Sequence, residues 1–420
     1  MIGKPPAKLL KPRQPTFKRS ASATRSSAAK ACVTAEALYA SFRPSVAKAL
    51  RGFEPPLQTP SDMHRVSLDR MQFPVPELLL LLLRNVMRFP WEGQGEKVRW
   101  TVRFSVNGSP CAVELTKFGL KLYVRKGDPA LYQRVSGQLG SALARLEKRL
   151  EPMIEMQMRL GNVSLANRSS DFDARYRFFR DKADVAYRSS QRKVGSKPSG
   201  DSHTPGLDIS QIVADLNRTV RRSREGFFNS VAMVDAYFSY LEHRLVLLRA
   251  FTGRAVPEGG VQSILMKRWD EKFAETLGAE SAAEHGALLG RLRDLKERIR
   301  NPFAHGGVEN DGGSIYCHVP FVGAIPGNMS RTKRSAHFKW IPVEVEDFRS
   351  ICELFDSVDS VLKSGPMEKP ALLADGGVDP AWDGDQLKRY RKLLRGSRKA
   401  LEAFVTHWNY ERDRHDNMDY

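Results

Sequence analysis

The chain has 420 residues, 41% of them hydrophobic and 27% charged, and a formal net charge of +19. That length favours two or three domains with real cores, and the cationic surplus favours polyanionic partners, nucleic acid first and an anionic membrane surface second. The longest apolar run, Leu78 to Leu83, is too short to cross a bilayer. Four scattered cysteines, Cys32, Cys111, Cys317 and Cys352, form no disulfide framework and read as reduced, packed thiols. Cys317-His318 lacks the second spaced pair that a zinc site needs.

Residues 1–35 hold Lys, Arg, Ser, Ala and Pro without one acid. A transit peptide has this composition, but the early prolines spoil an amphipathic helix and favour a disordered basic arm. Residues 36–185 form an α+β module. Prolines break its first part at Glu54-Pro55-Pro56 and Phe73-Pro74-Val75-Pro76, and Glu77 to Arg88 follows as a short buried helix. From Lys97 to Arg125 apolar residues alternate, with turn signals at Asn107-Gly108 and Phe118-Gly119, which predicts a three-stranded antiparallel meander. Leu139, Leu143, Leu146, Leu150 and Ile154 then fall at helical spacing within a helix from Leu131 to about Leu160.

Residues 186–206, rich in Ser, Gly, Pro and basic side chains, are the best linker candidate. Residues 207–365 read as a helical domain, with helices over Ile209–Phe227, Asn229–Phe251, Val261–Leu277, Ser281–Arg300 and Val345–Lys363. Val231, Val234, Phe238, Leu241, Leu245 and Leu248 share one face of the second. Two alternating stretches, Ser314–Val319 and Phe338–Val343, interrupt this domain as strands flanking a Gly- and Arg-rich loop. Residues 366–420 end the chain with a basic helix from Trp382 to Tyr410.

One segment carries a candidate chemistry. Leu288, Leu292, Leu295 and Ile299 step by four, three and four residues, the buried stripe of a helix. Pro302 disfavours the α conformation at Asn301 and should break that helix. Asn-Pro favours a new turn, and Gly306-Gly307 ends it. Arg300 and His305 are thereby held near each other at a helix junction. An imidazole titrates near neutral pH and can take a 2′-hydroxyl proton or protonate a leaving 5′-oxygen. A guanidinium binds phosphate through two parallel hydrogen bonds and stabilises charge developing there. Asn301 can orient the imidazole or bind phosphate. Spacing alone says little, because an Arg followed four to six residues later by His occurs about once by chance in such a chain. Arg331 and His337 are such a second pair, in a basic loop. The bland reading makes Arg300 a helix-terminal arginine and His305 a cap for the kink.

Arg300-Asn301-…-His305-Gly306 resembles the signature of the HEPN superfamily (higher eukaryotes and prokaryotes nucleotide-binding), whose members carry Arg, a polar residue and a following His near the junction of the last two helices of an all-α bundle. The helix from Ala232 to His243 is similar to the superfamily's long helix, which often turns an acid toward the cleft; Glu242 is the first candidate and Asp235 the second. The resemblance covers about residues 207–365. It implies a mainly α fold, a HEPN-like bundle with a β-hairpin insertion behind a small α+β module. It further implies an endoribonuclease that needs no cofactor or metal and leaves a 2′,3′-cyclic phosphate. His305 is the acid/base, Arg300 the phosphate binder, and Asn301 and Glu242 supporting polar groups. RNA is the substrate, and the settings implied are a cytoplasmic homodimer formed through this domain, a toxin held by an antitoxin or trigger protein, or an antiviral-defence effector. The hairpin insertion is longer than in minimal members, and residues 36–185 resemble no family. A second reading keeps the bundle as a non-catalytic nucleic-acid or nucleotide binding module.

Other residues divide between functional and bland roles. Glu242 can pair with Arg249 or Arg244, and His243 reads as a surface or packed histidine. The runs Arg221-Arg222-Ser223-Arg224 and Lys388-Arg389-Tyr390-Arg391-Lys392 are solvated faces or RNA contacts. Tyr390 and Trp408 stack on bases or pack in a core.

Overall fold

The computed structural model describes residues 25–56, 63–125, 128–191, 209–278, 283–300, 315–330, 335–337 and 345–419. The chain is mainly helical with a small antiparallel sheet. It divides into two compact units, one of residues 1–159 and 406–420, the other of residues 160–405.

In the first unit α1 (Arg25–Ala47) leads into β1 (Phe53–Glu54) and β2 (Met63–Ser67). Part of the segment expected as a disordered arm, residues 25–35, therefore belongs to a helix; residues 1–24 lie outside the described residues. Next comes α2, Pro76–Leu80, whose last turns widen to π geometry over Leu81–Val86. After β3 (Trp91–Glu92), the meander is present as β4 (Val98–Val106), β5 (Ser109–Thr116) and β6 (Gly119–Arg125). Asn107 and Gly108 both have positive φ, the two-residue turn geometry that suits the twist of a hairpin. The sheet is wider than expected. β2 pairs with β6, and β1 and β3 pair with different parts of β4. These three strands are too short to show an alternating pattern of their own.

α3 (Pro129–Leu160) lies over this sheet. Its Leu139, Leu143, Leu146 and Leu150 join Leu79, Leu82, Val102, Phe104, Val113 and Leu122 in one core. Ile154, expected on the same stripe, is exposed. Met418 joins this core too, so the end of the chain belongs with its beginning. The expected separation of residues 366–420 does not account for that packing.

The second unit is built around two helices, α4 (Ser169–Gln191) and α5 (Ile209–Phe251). They run antiparallel, with Tyr176 edge-on to Tyr237 at 5.0 Å and Gly226 against the ring of Tyr187. Residues 169–185 were expected in the N-terminal module and 186–191 in the linker, yet both stretches belong to this one helix, and its buried aromatics pack here. The two helices expected over 209–227 and 229–251 are one. No proline interrupts them, and Gly226, an intrinsically weak helix residue, is where α4 comes closest: a Cβ there would meet the Tyr187 ring at 2.8 Å. From Met233 to Phe251 apolar residues are buried on nearly every side of α5, as befits a central helix.

The expected helix over Val261–Leu277 is two, α6 (Gly260–Met266) and α7 (Trp269–Leu277). Lys267 and Arg268 take extended backbone between them, and the Arg268 backbone N–H donates to the Glu271 carboxylate. α8 runs over Ala283–Leu295 and widens to π geometry over Lys296–Arg300. A three-stranded sheet follows, β7 (Ile315–Val319), β8 (Gly323–Ser330) and β9 (Ser335–His337). The expected strand Phe338–Val343 lies outside the described residues.

α9 (Val345–Leu362) returns to the core, where Phe355 stacks on Tyr237 at 3.7 Å. α10 (Glu368–Asp375), α11 (Gly384–Leu394) and α12 (Arg398–Asn417) complete the chain. The last helix was expected to run unbroken from Trp382. Gly396 interrupts it, and the Lys369 ammonium donates to the carbonyls of Leu394 and Gly396, satisfying acceptors a helix end leaves free.

Candidate functional site

The stripe Leu288, Leu292, Leu295 and Ile299 is buried throughout, which fixes the rotation of α8 against the bundle. Its closing π turn inserts an extra residue into the helical repeat. Such turns recur where a side chain must be re-aimed, and Arg300 is the last residue of this one. Asn301 and His305 lie outside the described residues, as does the kink expected at Asn301-Pro302.

Arg300 is mostly covered and points at α5. Its Nε donates to Asp235 Oδ1 at 3.1 Å, and its guanidinium lies over the Phe238 ring at 5.6 Å. The other oxygen of Asp235 faces Arg175 of α4 at 3.6 Å. Asp235, the second acid candidate, is therefore the one that meets Arg300. Phe238, one turn further along, meets the edge of Trp269 at 5.0 Å, so the ring beneath Arg300 is itself held.

Lys296 lies one turn before Arg300, with its ammonium 5.4 Å from the Trp269 ring centre. Burial lowers its pKa below the ordinary lysine value, and repulsion from Arg300 adds to this. Two cationic side chains from two helices, Arg175 and Arg300, thus share one carboxylate, and Lys296 lies one turn from Arg300. That arrangement keeps a net positive charge and suits a phosphate, with the Arg300 fork positioned through its Nε edge so that phosphate contacts fall to its two terminal nitrogens. Neither Arg175 nor Lys296 carries a local sequence signal: Arg175 falls among residues expected in the N-terminal module, and Lys296 looks like one more solvated lysine.

Glu242 does not join this group. Its Oε1 accepts from Lys272 Nζ at 2.5 Å, and Lys272, almost fully buried, also donates to the Leu265 carbonyl at 2.8 Å. Neither Arg244 nor Arg249 is its partner: Arg244 pairs with Asp375 at 2.6 Å and Arg249 faces Glu275. The carboxylate thus neutralises a buried ammonium from α7. Beside it, buried Asp270 accepts from Arg293 Nη2 at 2.9 Å and pairs with Arg268, so α7 is tied to both α5 and α8 by charge.

His243 is a packed histidine. Its Nε2 accepts from the Arg168 backbone N–H at 3.0 Å and its ring lies 5.1 Å from that of Phe172. Burial, with the nearby Arg168, pushes its pKa below the ordinary value. Tyr390 and Trp408 are both buried; the Tyr390 hydroxyl accepts from the Ala381 N–H and its ring meets Phe251 edge-on. Neither is placed to stack on a base. In the basic runs Arg222 pairs with Glu225 and Lys388 lies near Asp385, while Arg221 and Arg224 are exposed.

Compared with known proteins, the chain matches no family model, and no curated protein or solved structure matches it. Among the described residues no helix is long and apolar enough to cross a membrane.

Proposed function

We propose that the second unit is an endoribonuclease of the HEPN type, cutting RNA by attack of a 2′-hydroxyl on the adjacent phosphate. The observation that carries the reading is the Arg300–Asp235 pair: a helix-terminal arginine in the Arg–Asn–x–x–x–His segment, aimed by an acid of the long central helix. In this scheme Arg300 binds the scissile phosphate and stabilises its developing charge, while His305 moves the proton. Asn301 supports one of them. Asp235 takes the positioning part first sought in Glu242, and Arg175 and Lys296 add positive charge for the flanking backbone. The domain acts as a homodimer, in a toxin or antiviral-defence setting where an antitoxin or trigger controls it.

The same cation cluster serves the second reading, a non-catalytic nucleic-acid binding module. Induced expression of the wild type and His305→Ala in one host, with growth and total RNA integrity as readouts, separates them. The nuclease reading expects growth arrest and fragmented RNA from the wild type alone. Intact RNA in both cultures removes it in favour of binding.

A further inference from the structure

The β7–β8 hairpin presents a feature that the cation cluster leaves unexplained. Its strands pair from Ile315↔Gly327 to Val319↔Gly323, and the connecting turn closes with the Val322 N–H donating to the Val319 carbonyl at 3.1 Å. Pro320 occupies the second position of that turn and Phe321 the third, with φ +68°. This is the type II pattern, whose third position ordinarily takes Gly or Asn because a Cβ is strained there. Phe321 instead places an aromatic ring at the strained position and leaves it fully exposed, with no core contact in return. Backbone strain without a packing reward is the mark of a residue kept for what it meets outside the chain.

The surroundings indicate what that is. Tyr316 and His318, two apart on β7, are also exposed, and alternate residues of a strand share a face. Residues 312–343 contain no Asp or Glu, while Arg331, Lys333, Arg334 and Lys339 fall within them. Exposed aromatics on an acid-free, basic stretch fit a polyanion with flat rings, and single-stranded nucleic acid is bound by that combination. An inserted membrane tip fits less well, because the exposed apolar stretch is confined to the turn, Val319 to Val322, between His318 and Gly323.

We infer that the β7–β8 hairpin is a stacking arm for single-stranded RNA, with Phe321 and Tyr316 as its base platforms. The inference rests on the RNA reading above and adds to it a substrate class and a second contact surface. Binding is separable from cutting, so full-length His305→Ala protein is titrated with a fluorescein-labelled single-stranded RNA of about 20 nucleotides, long enough to span several stacking sites, and followed by anisotropy. Adding Phe321→Gly relieves the turn, so the melting temperature stays level or rises, while RNA affinity falls about tenfold. Phe321→Trp retains affinity. Phe321→Leu, apolar but not aromatic, loses it as Gly does. Vesicles of phosphatidylcholine and phosphatidylserine, tested by flotation, show no dependence on residue 321. Unchanged RNA affinity in Phe321→Gly, full affinity in Phe321→Leu, or vesicle binding that requires Phe321 overturns the inference. A parallel cleavage assay with otherwise wild-type protein keeps the two questions apart: lost cutting with Phe321-dependent binding counts against the nuclease, not the arm.

Discussion

Removing the Glu242 side chain strands the Lys272 ammonium, which is about 95% buried and then keeps only the Leu265 carbonyl as an acceptor. Breaking a fully buried pair costs about 3–5 kcal/mol, because one ion is left uncompensated. Glu242 is 42% exposed, so water reaches the vacated position, and the expected loss for Glu242→Ala is nearer 2 kcal/mol. Glu242→Gln keeps an oxygen for the ammonium and loses about 1 kcal/mol. Lys272→Met removes the charge and keeps the length, so adding it to Glu242→Ala recovers part of the loss, a coupling of about 1–2 kcal/mol in a double-mutant cycle. Two compact units need not unfold together, so hydrogen exchange of the α5 and α7 amides is the readout beside urea denaturation. RNA cleavage per folded molecule should be nearly unchanged. A Glu242→Ala protein as stable as wild type, or one that folds normally and has lost cleavage, refutes the assignment of Glu242 to Lys272.

Gly226→Ala gains about 1 kcal/mol of helix propensity, but its methyl meets the buried Tyr187 ring, which packs on Phe348. Overpacking of about 1–3 kcal/mol exceeds the gain, so the melting temperature falls; a rise contradicts the close α4–α5 approach. His243 has a lowered folded pKa and must stay neutral to accept from Arg168. Its contribution is full above the unfolded value and lost as pH falls through that value toward the folded one. His243→Gln, which also accepts, should therefore flatten the stability profile in that acid window, and an identical slope rejects the reading. Burial pushes the Cys111 thiol up to about 12 and the Cys352 thiol to about 11. Iodoacetamide at pH 8, followed by peptide mapping, should modify both only after unfolding, since the thiolate is the nucleophile; rapid native labelling excludes the packing described.

Long periodic segments were the legible part of the fold. The meander, α3, the α8 stripe and α9 show in the sequence because each repeats its apolar residues at the period of its own secondary structure. Their joins were harder. The fusion of 209–251 turns on a glycine whose neighbour lies in another helix, and no local pattern records the partner. The break at Lys267-Arg268 uses neither Gly nor Pro, while the break at Gly396 falls within a stretch expected as one basic helix. At the site, Arg300 was visible through its helix-end context, but the choice between Asp235 and Glu242 was not. The two lie about two turns apart on one face, and Lys272 and Arg300, arriving from different helices, decide which acid meets which cation. Burial also settles Tyr390 and Trp408, whose basic neighbours mimic a stacking site.

The most direct test of the central claim uses purified full-length protein, single-stranded RNA and excess EDTA, with product ends identified by mass spectrometry. The account predicts fragments ending in 2′,3′-cyclic phosphate from the wild type, with loss of about two orders of magnitude in rate or more for Arg300→Ala or His305→Ala. RNA left intact by the wild type, or the same fragments at the same rate from either variant, contradicts it.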